Sequence, residues 1–201
     1  LIHGQVVIDA TLALRDAHSI TAADVATVTL EVFQGAFDIA GGGHYGNKDH
    51  PSTKEQADYN LKYLVAVALL DGQVGPEQLE TERVCRPDVQ QLLTRVDVRA
   101  ADDLTAAYPD RTQARVHIAV NDGRQFHREQ SDFEGSPTRP MTWDRVVDKL
   151  HWLAEPFADA TLRAEIVDAV RRLDEIPVAE LTALLGAVSP SARRRRSRGR
   201  L

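Results

Sequence analysis

"ARVHIAVNDGRQFHREQ", residues 114–130, is the stretch on which the fold turns. Val116, Ile118 and Val120 alternate with other residues, a period of two that lines one face of a strand. "NDG", 121–123, supplies Asp-Gly turn chemistry, and Phe126 resumes the pattern. The spacing predicts a hairpin with strands over 114–120 and 124–130, with His117 facing His127 across it. The cross-strand histidines read as a surface pair.

Outward from the hairpin, two more strands are predicted. "VATVTLEVF", 25–33, puts Val28, Leu30 and Val32 on one face, and "RVDVRA", 95–100, is short and alternating. Between them the chain is helical. Residues 4–17 read as a helix ending near His18 and Ser19. Thr21 and Asp24 have capping-box spacing. "STKEQADYNLKYLVAVALLDG", 52–72, reads as one helix over 54–70, capped by Ser52 or Thr53 and stopped by Gly72. "RPDVQQLLTR" holds Pro87 at a permitted first-turn position. Thr142 can cap a helix over 142–153, and two more follow near 160–173 and 178–186. Because the tight connection between strands is a hairpin, the pattern favours an α+β fold with a small antiparallel or mixed sheet over a doubly wound one.

The chain has 201 residues, 43% of them hydrophobic, with a net charge of −6. Six arginines between 193 and 200 conceal a more acidic body, which argues against nucleic acid as a partner. The basic tail, 189–201, lacks apolar periodicity and is expected to be disordered. A single cysteine, Cys85, builds no disulfide framework, and a reducing, cytoplasmic setting is the default. The longest apolar run, Tyr63 to Leu70, falls far short of a membrane span. The first residues, "LIHGQVVIDATLAL", begin inside an apolar pattern, so the sequence reads as a piece of something longer.

Local chemistry is sparse. His44 and His50 lie in a glycine-rich loop, but their spacing matches no named zinc pattern, and no metal site is expected. "GGG", 41–43, lacks the residues of a phosphate loop and reads as a connector. Cys85 precedes Arg86 and reads as a small packing residue. His3 starts the first helix and could face a cleft or solvent. Tyr59 and Tyr63 stand one turn apart beside Asp58 and Lys62, and composition does not explain them.

Four segments, in order, resemble one family. "STKEQADYNLKYLVAVALLDG" is similar to the form T-x-E-x-A-D-H-S-x-x-Y-x-x-A-x-A-L-x-D-G. "HGQVVIDATLAL", "ARVHIAVNDGRQF" and "GSPTRPMTWDRVVDKLHWLA" resemble other segments of the family. The family is the MmgE/PrpD superfamily of 2-methylcitrate dehydratases, cis-aconitate decarboxylases and iminodisuccinate epimerases. The resemblance implies a lid domain over 1–154, helices over 155–188 that return to a helical domain outside this sequence, and a homodimer in the full-length form. It implies a metal-independent hydro-lyase without cofactor, acting on a small tri- or dicarboxylate such as 2-methylcitrate of propionate metabolism. It places a catalytic phenol at Tyr63, with His3, Lys62 and Tyr59 beside the substrate. The alternative role for Tyr63 is a buried phenol that finishes the helix end. Tyr59 stands where the family form has histidine. The alternatives for the chain are a non-catalytic remnant, an associating lid, a decarboxylase or an epimerase. Alone, it is expected to be inactive.

Overall fold

The computed structural model describes residues 1–42, 45 and 48–189; His44 and the basic tail from 190 onward lie outside them. The chain divides into two compact units, Leu1–Pro140 and Met141 onward.

The first unit is built on a four-stranded mixed sheet. β1 (Val25–Val32) is followed by β2 (Val96–Ala100), and the hairpin supplies β3 (Ala114–Val120) and β4 (Gln125–Gln130). The order is β2-β1-β3-β4. β1 runs parallel to β2 and antiparallel to β3, and β3 runs antiparallel to β4. Period-two alternation gives the sheet one apolar face, where Val28, Leu30, Val32, Val116 and Ile118 are buried. α1 (Gln5–His18) packs against the hairpin strands and another helix on that side.

Two short helical turns, α2 (Gln34–Ala36) and a π-type turn Phe37–Gly41, follow β1. The helix expected over 54–70 is broken. It forms as α3 (Lys54–Asp58) and α4 (Leu61–Asp71). The cause is Asn60, whose backbone is extended and whose Oδ1 accepts from the Tyr63 amide, a capping arrangement inside an apolar-looking run. Asn60 Nδ2 also donates to the Lys48 carbonyl at 2.8 Å. Thr53 caps α3, and Gly72 ends α4 in the left-handed region at φ 72°. From Leu61 to Leu69 every residue of α4 except Lys62 is buried, as an all-apolar helix requires.

Short helices α5 (Thr81–Val84) and α6 (Pro87–Leu93) lead into β2, and α7 (Asp102–Ala107) leads from β2 towards the hairpin. Cys85, expected as a packing residue, is exposed.

The second unit holds α8 (Trp143–Ala154), α9 (Ala160–Arg171) and α10 (Val178–Gly186). Thr142 and Asp159 cap the first two. Among its described residues only Ala158, Ile166 and Ala169 are buried apolar side chains. Trp143, Val146, Trp152, Val170, Leu173, Val178 and Leu185 are exposed. No described helix is long and apolar enough to cross a membrane.

Candidate functional site

The four residues singled out by sequence do not meet in one place. Tyr63 is fully buried, and its hydroxyl donates to the Gln78 carbonyl. Burial pushes its pKa up to about 12. The segment that covers it is fastened by a polar network. Arg83 grips Asp71 with Nε at 3.0 Å and Nη2 at 2.5 Å, and Gln78 Nε2 donates to the same carboxylate at 3.1 Å. Burial opposes the charge on Asp71, but the bonds from Arg83 and Gln78 outweigh it and lower its pKa. In this unit the phenol is therefore turned inward, not presented to an open cleft.

Tyr59 sits at the helix break and is 51% exposed. Lys62 pairs with Asp49 at 2.7 Å and borders an open depression with Arg95 and Arg99. His3 lies elsewhere, at the rim of a cavity of about 520 Å³.

That cavity is assembled from three distant pieces of chain: the Ile2–Gly4 turn before α1, the 108–112 loop after α7, and the 131–138 turn after β4. Gly4 lets the start of α1 lie close to α4, since a Cβ there would stand 2.8 Å from Leu64 Cδ1. His3 is fixed by aromatic neighbours. Its ring meets Phe33 edge-on at 5.0 Å, and Phe33 stacks on Tyr108 at 4.1 Å. The 131–138 turn is held to α1 by Asp9, which accepts from Arg139 and from the Glu134 amide.

The electrostatics sort the lining. Burial holds the His3 pKa below its usual 6.5. The imidazole is thus neutral at pH 7, able to hydrogen-bond or to accept a proton but not to serve as a fixed cation. The fixed cation is Arg111, whose side chain has no hydrogen bond or ion pair among the described residues. Asp132 is engaged by Gln130, Thr138 and Arg139. Asp110 has no such partner among the described residues, and its charge works against any anion there. Ser136 and Thr138 add hydroxyls. A planar guanidinium, a neutral imidazole and hydroxyls around one concavity suit a carboxylate. Arg111 and Tyr108 were missed from sequence; they lie more than a hundred residues from His3, and no local spacing joins them.

Relatives bear on what such a cavity serves. The chain is 23% identical over 132 residues to cis-aconitate decarboxylase of Mus musculus, covering 66% of this chain and 27% of that protein. It is 22% identical over 147 residues to cis-aconitate decarboxylase of Homo sapiens, covering 73% and 30%. The chain thus spans less than a third of the length of these relatives. The family model described as the MmgE/PrpD C-terminal domain matches residues 1–175, and the chain belongs to the MmgE/PrpD family.

Proposed function

We propose that the chain is the C-terminal part of a metal-independent lyase acting on a small tri- or dicarboxylate, and that it has no turnover by itself. Family membership over 1–175 carries this reading. The exposed apolar side chains of α8 to α10 support a docking role for the second unit against the helical domain of the family. We place the full-length protein as a homodimer in the cytoplasm, without cofactor.

The chemistry needs carboxylate clamps, a base and an acid around one substrate. In dehydration, a base takes the proton from a carbon beside a carboxylate. The C–O bond breaks, an acid protonates the leaving hydroxyl, and water departs. 2-Methylcitrate is the first substrate we assign. The two decarboxylase relatives favour a second reading, in which a C–C bond to one carboxylate breaks, CO2 leaves and the electron pair takes a proton.

Within this unit Arg111 and His3 hold a substrate carboxylate; Tyr59 and Lys62 stand outside that cavity and are assigned to the substrate side on the family resemblance alone. Tyr59 is exposed as that role requires, whereas Lys62 must release Asp49. Tyr63 is assigned as the acid on the family resemblance. To act, its hydroxyl must leave the Gln78 carbonyl, so the 73–80 segment must open in the assembled enzyme.

The test compares the chain alone with the chain joined to a helical half of the family, on 2-methylcitrate and on cis-aconitate. The chain alone yields no product. The joined protein yields either an olefin with water or CO2, which separates the two readings, and Tyr63→Phe there costs on the order of a hundredfold. Turnover by the chain alone, or an undiminished rate in joined Tyr63→Phe, refutes the assignment. A joined protein that folds but turns over neither acid supports the non-catalytic lid instead.

A further inference from the structure

The outer face of the sheet carries a feature that the proposed lyase chemistry does not use. Its residues stand in rows across three strands. Glu31, Arg115 and Glu129 form one row, and Thr29, His117 and His127 form the next. The hairpin turn is closed by the Val120 amide donating to the Arg124 carbonyl at 3.0 Å. Counting back along the ladder places His117 and His127 at a non-hydrogen-bonded pair, where Cα atoms approach to about 4.5 Å and side chains are nearest. Their rings lie nearly parallel, 18° apart, with centroids separated by 6.1 Å. Neither imidazole has a hydrogen bond or ion pair among the described residues, so their nitrogens are uncommitted.

We propose that His117 and His127 form a binding site for a divalent transition-metal ion of the imidazole-seeking kind, such as zinc. Zinc lies about 2.0–2.1 Å from an imidazole nitrogen, so two rings sharing one ion have centroids roughly 5–6 Å apart. The observed separation of 6.1 Å lies just above that span, and binding turns the two nearly parallel rings about their side-chain bonds so that one nitrogen of each meets the ion. The adjoining row favours a cation. Arg115 is held there by Asp103, Glu129 and Glu31, and Arg99 on β2 beside Glu31 pairs with Asp97, so four carboxylates stand with two guanidiniums, which leaves net negative charge beside the histidines. The pair also borders a concavity of about 240 Å³ with Thr27, Thr29 and Gln125, which leaves room for water. No third His, Cys, Asp or Glu among the described residues completes a set, so water fills the remaining positions. β4 is an edge strand joined only to β3. A bound ion clips that edge in place, and no step of the proposed reaction runs through it.

The test is calorimetric titration of the chelator-treated full chain with zinc chloride. One zinc binds per chain. His117→Gln and His127→Gln each weaken it at least about tenfold. A His44→Gln, His50→Gln double variant, which removes the histidines of the glycine-rich loop, leaves it unchanged. On the unaltered chain, nickel broadens amide resonances around 117 and 127 first, a readout that does not depend on the variants folding. Absence of saturable zinc binding, loss of binding only in the loop variant, or broadening centred elsewhere overturns the site.

Discussion

Replacing Tyr63 by Phe in the chain itself separates a structural phenol from an idle one. The hydroxyl is fully buried and its partner is the Gln78 carbonyl. Deleting it returns nothing to water and leaves that carbonyl without this donor. The cost of an unsatisfied buried acceptor is about 1–3 kcal/mol. At about 2–4 °C per kcal/mol for a chain of this size, the melting temperature falls by roughly 2–12 °C. The pH dependence carries a second signature. The folded-state pKa is raised to about 12 from an unfolded value of 10.0. The folded state therefore holds the proton more tightly, and this stability is fully present below pH 10 and lost as pH rises towards 12. Two units correspond to on the order of 2–3 kcal/mol. Tyr63→Phe has nothing to ionise, so the gap between parent and variant closes as pH rises through that window. Thermal melts of both proteins at pH 7 and at steps above pH 9 measure it. Equal stability at pH 7, or curves that stay parallel above pH 10, would falsify the buried-donor assignment.

Other perturbations follow the same logic. Asn60→Ala removes the cap of α4 and the donor to the Lys48 carbonyl, and should cost about 1–3 kcal/mol in urea unfolding. Gly72→Ala puts a side chain at φ 72° and 3.0 Å from the Arg15 guanidinium, and should cost about 1 kcal/mol or more in the same assay. Asp110→Asn removes the carboxylate next to Arg111 and should tighten binding of a tricarboxylate a few-fold by calorimetry. Unchanged affinity there would mean that Asp110 lies outside the field of the bound anion.

The hairpin and the caps were legible because their signals are local. Alternation and Asp-Gly fix β3 and β4 within seventeen residues, Thr53 and Thr142 mark helix starts by their hydroxyls, and Gly72 marks a helix end by lacking a side chain. The break at Asn60 left a local signal too, an asparagine just before an apolar run, but the continuous periodicity around it obscured the stop. The parallel pairing of β1 with β2 joins Val28 to Val96 and has no neighbouring signature. Short α7 carries Asp102 and Asp103 in its first turn, a helix-start preference too weak to claim six residues unaided. The cavity was illegible for the same reason as the parallel pair. His3 was visible as a candidate, but its companions at 108–112 and 131–138 reach it only through the folded sheet.

The proposed carboxylate site of this unit lies between His3 and Arg111. An NMR titration of the full chain with cis-aconitate measures that directly. Saturable shifts are expected, confined to the amides and side chains of His3, Tyr108, Arg111, Ser136 and Thr138, and Arg111→Ala should abolish them while the spectrum stays folded. Shifts that map elsewhere, or that persist undiminished in Arg111→Ala, would contradict it.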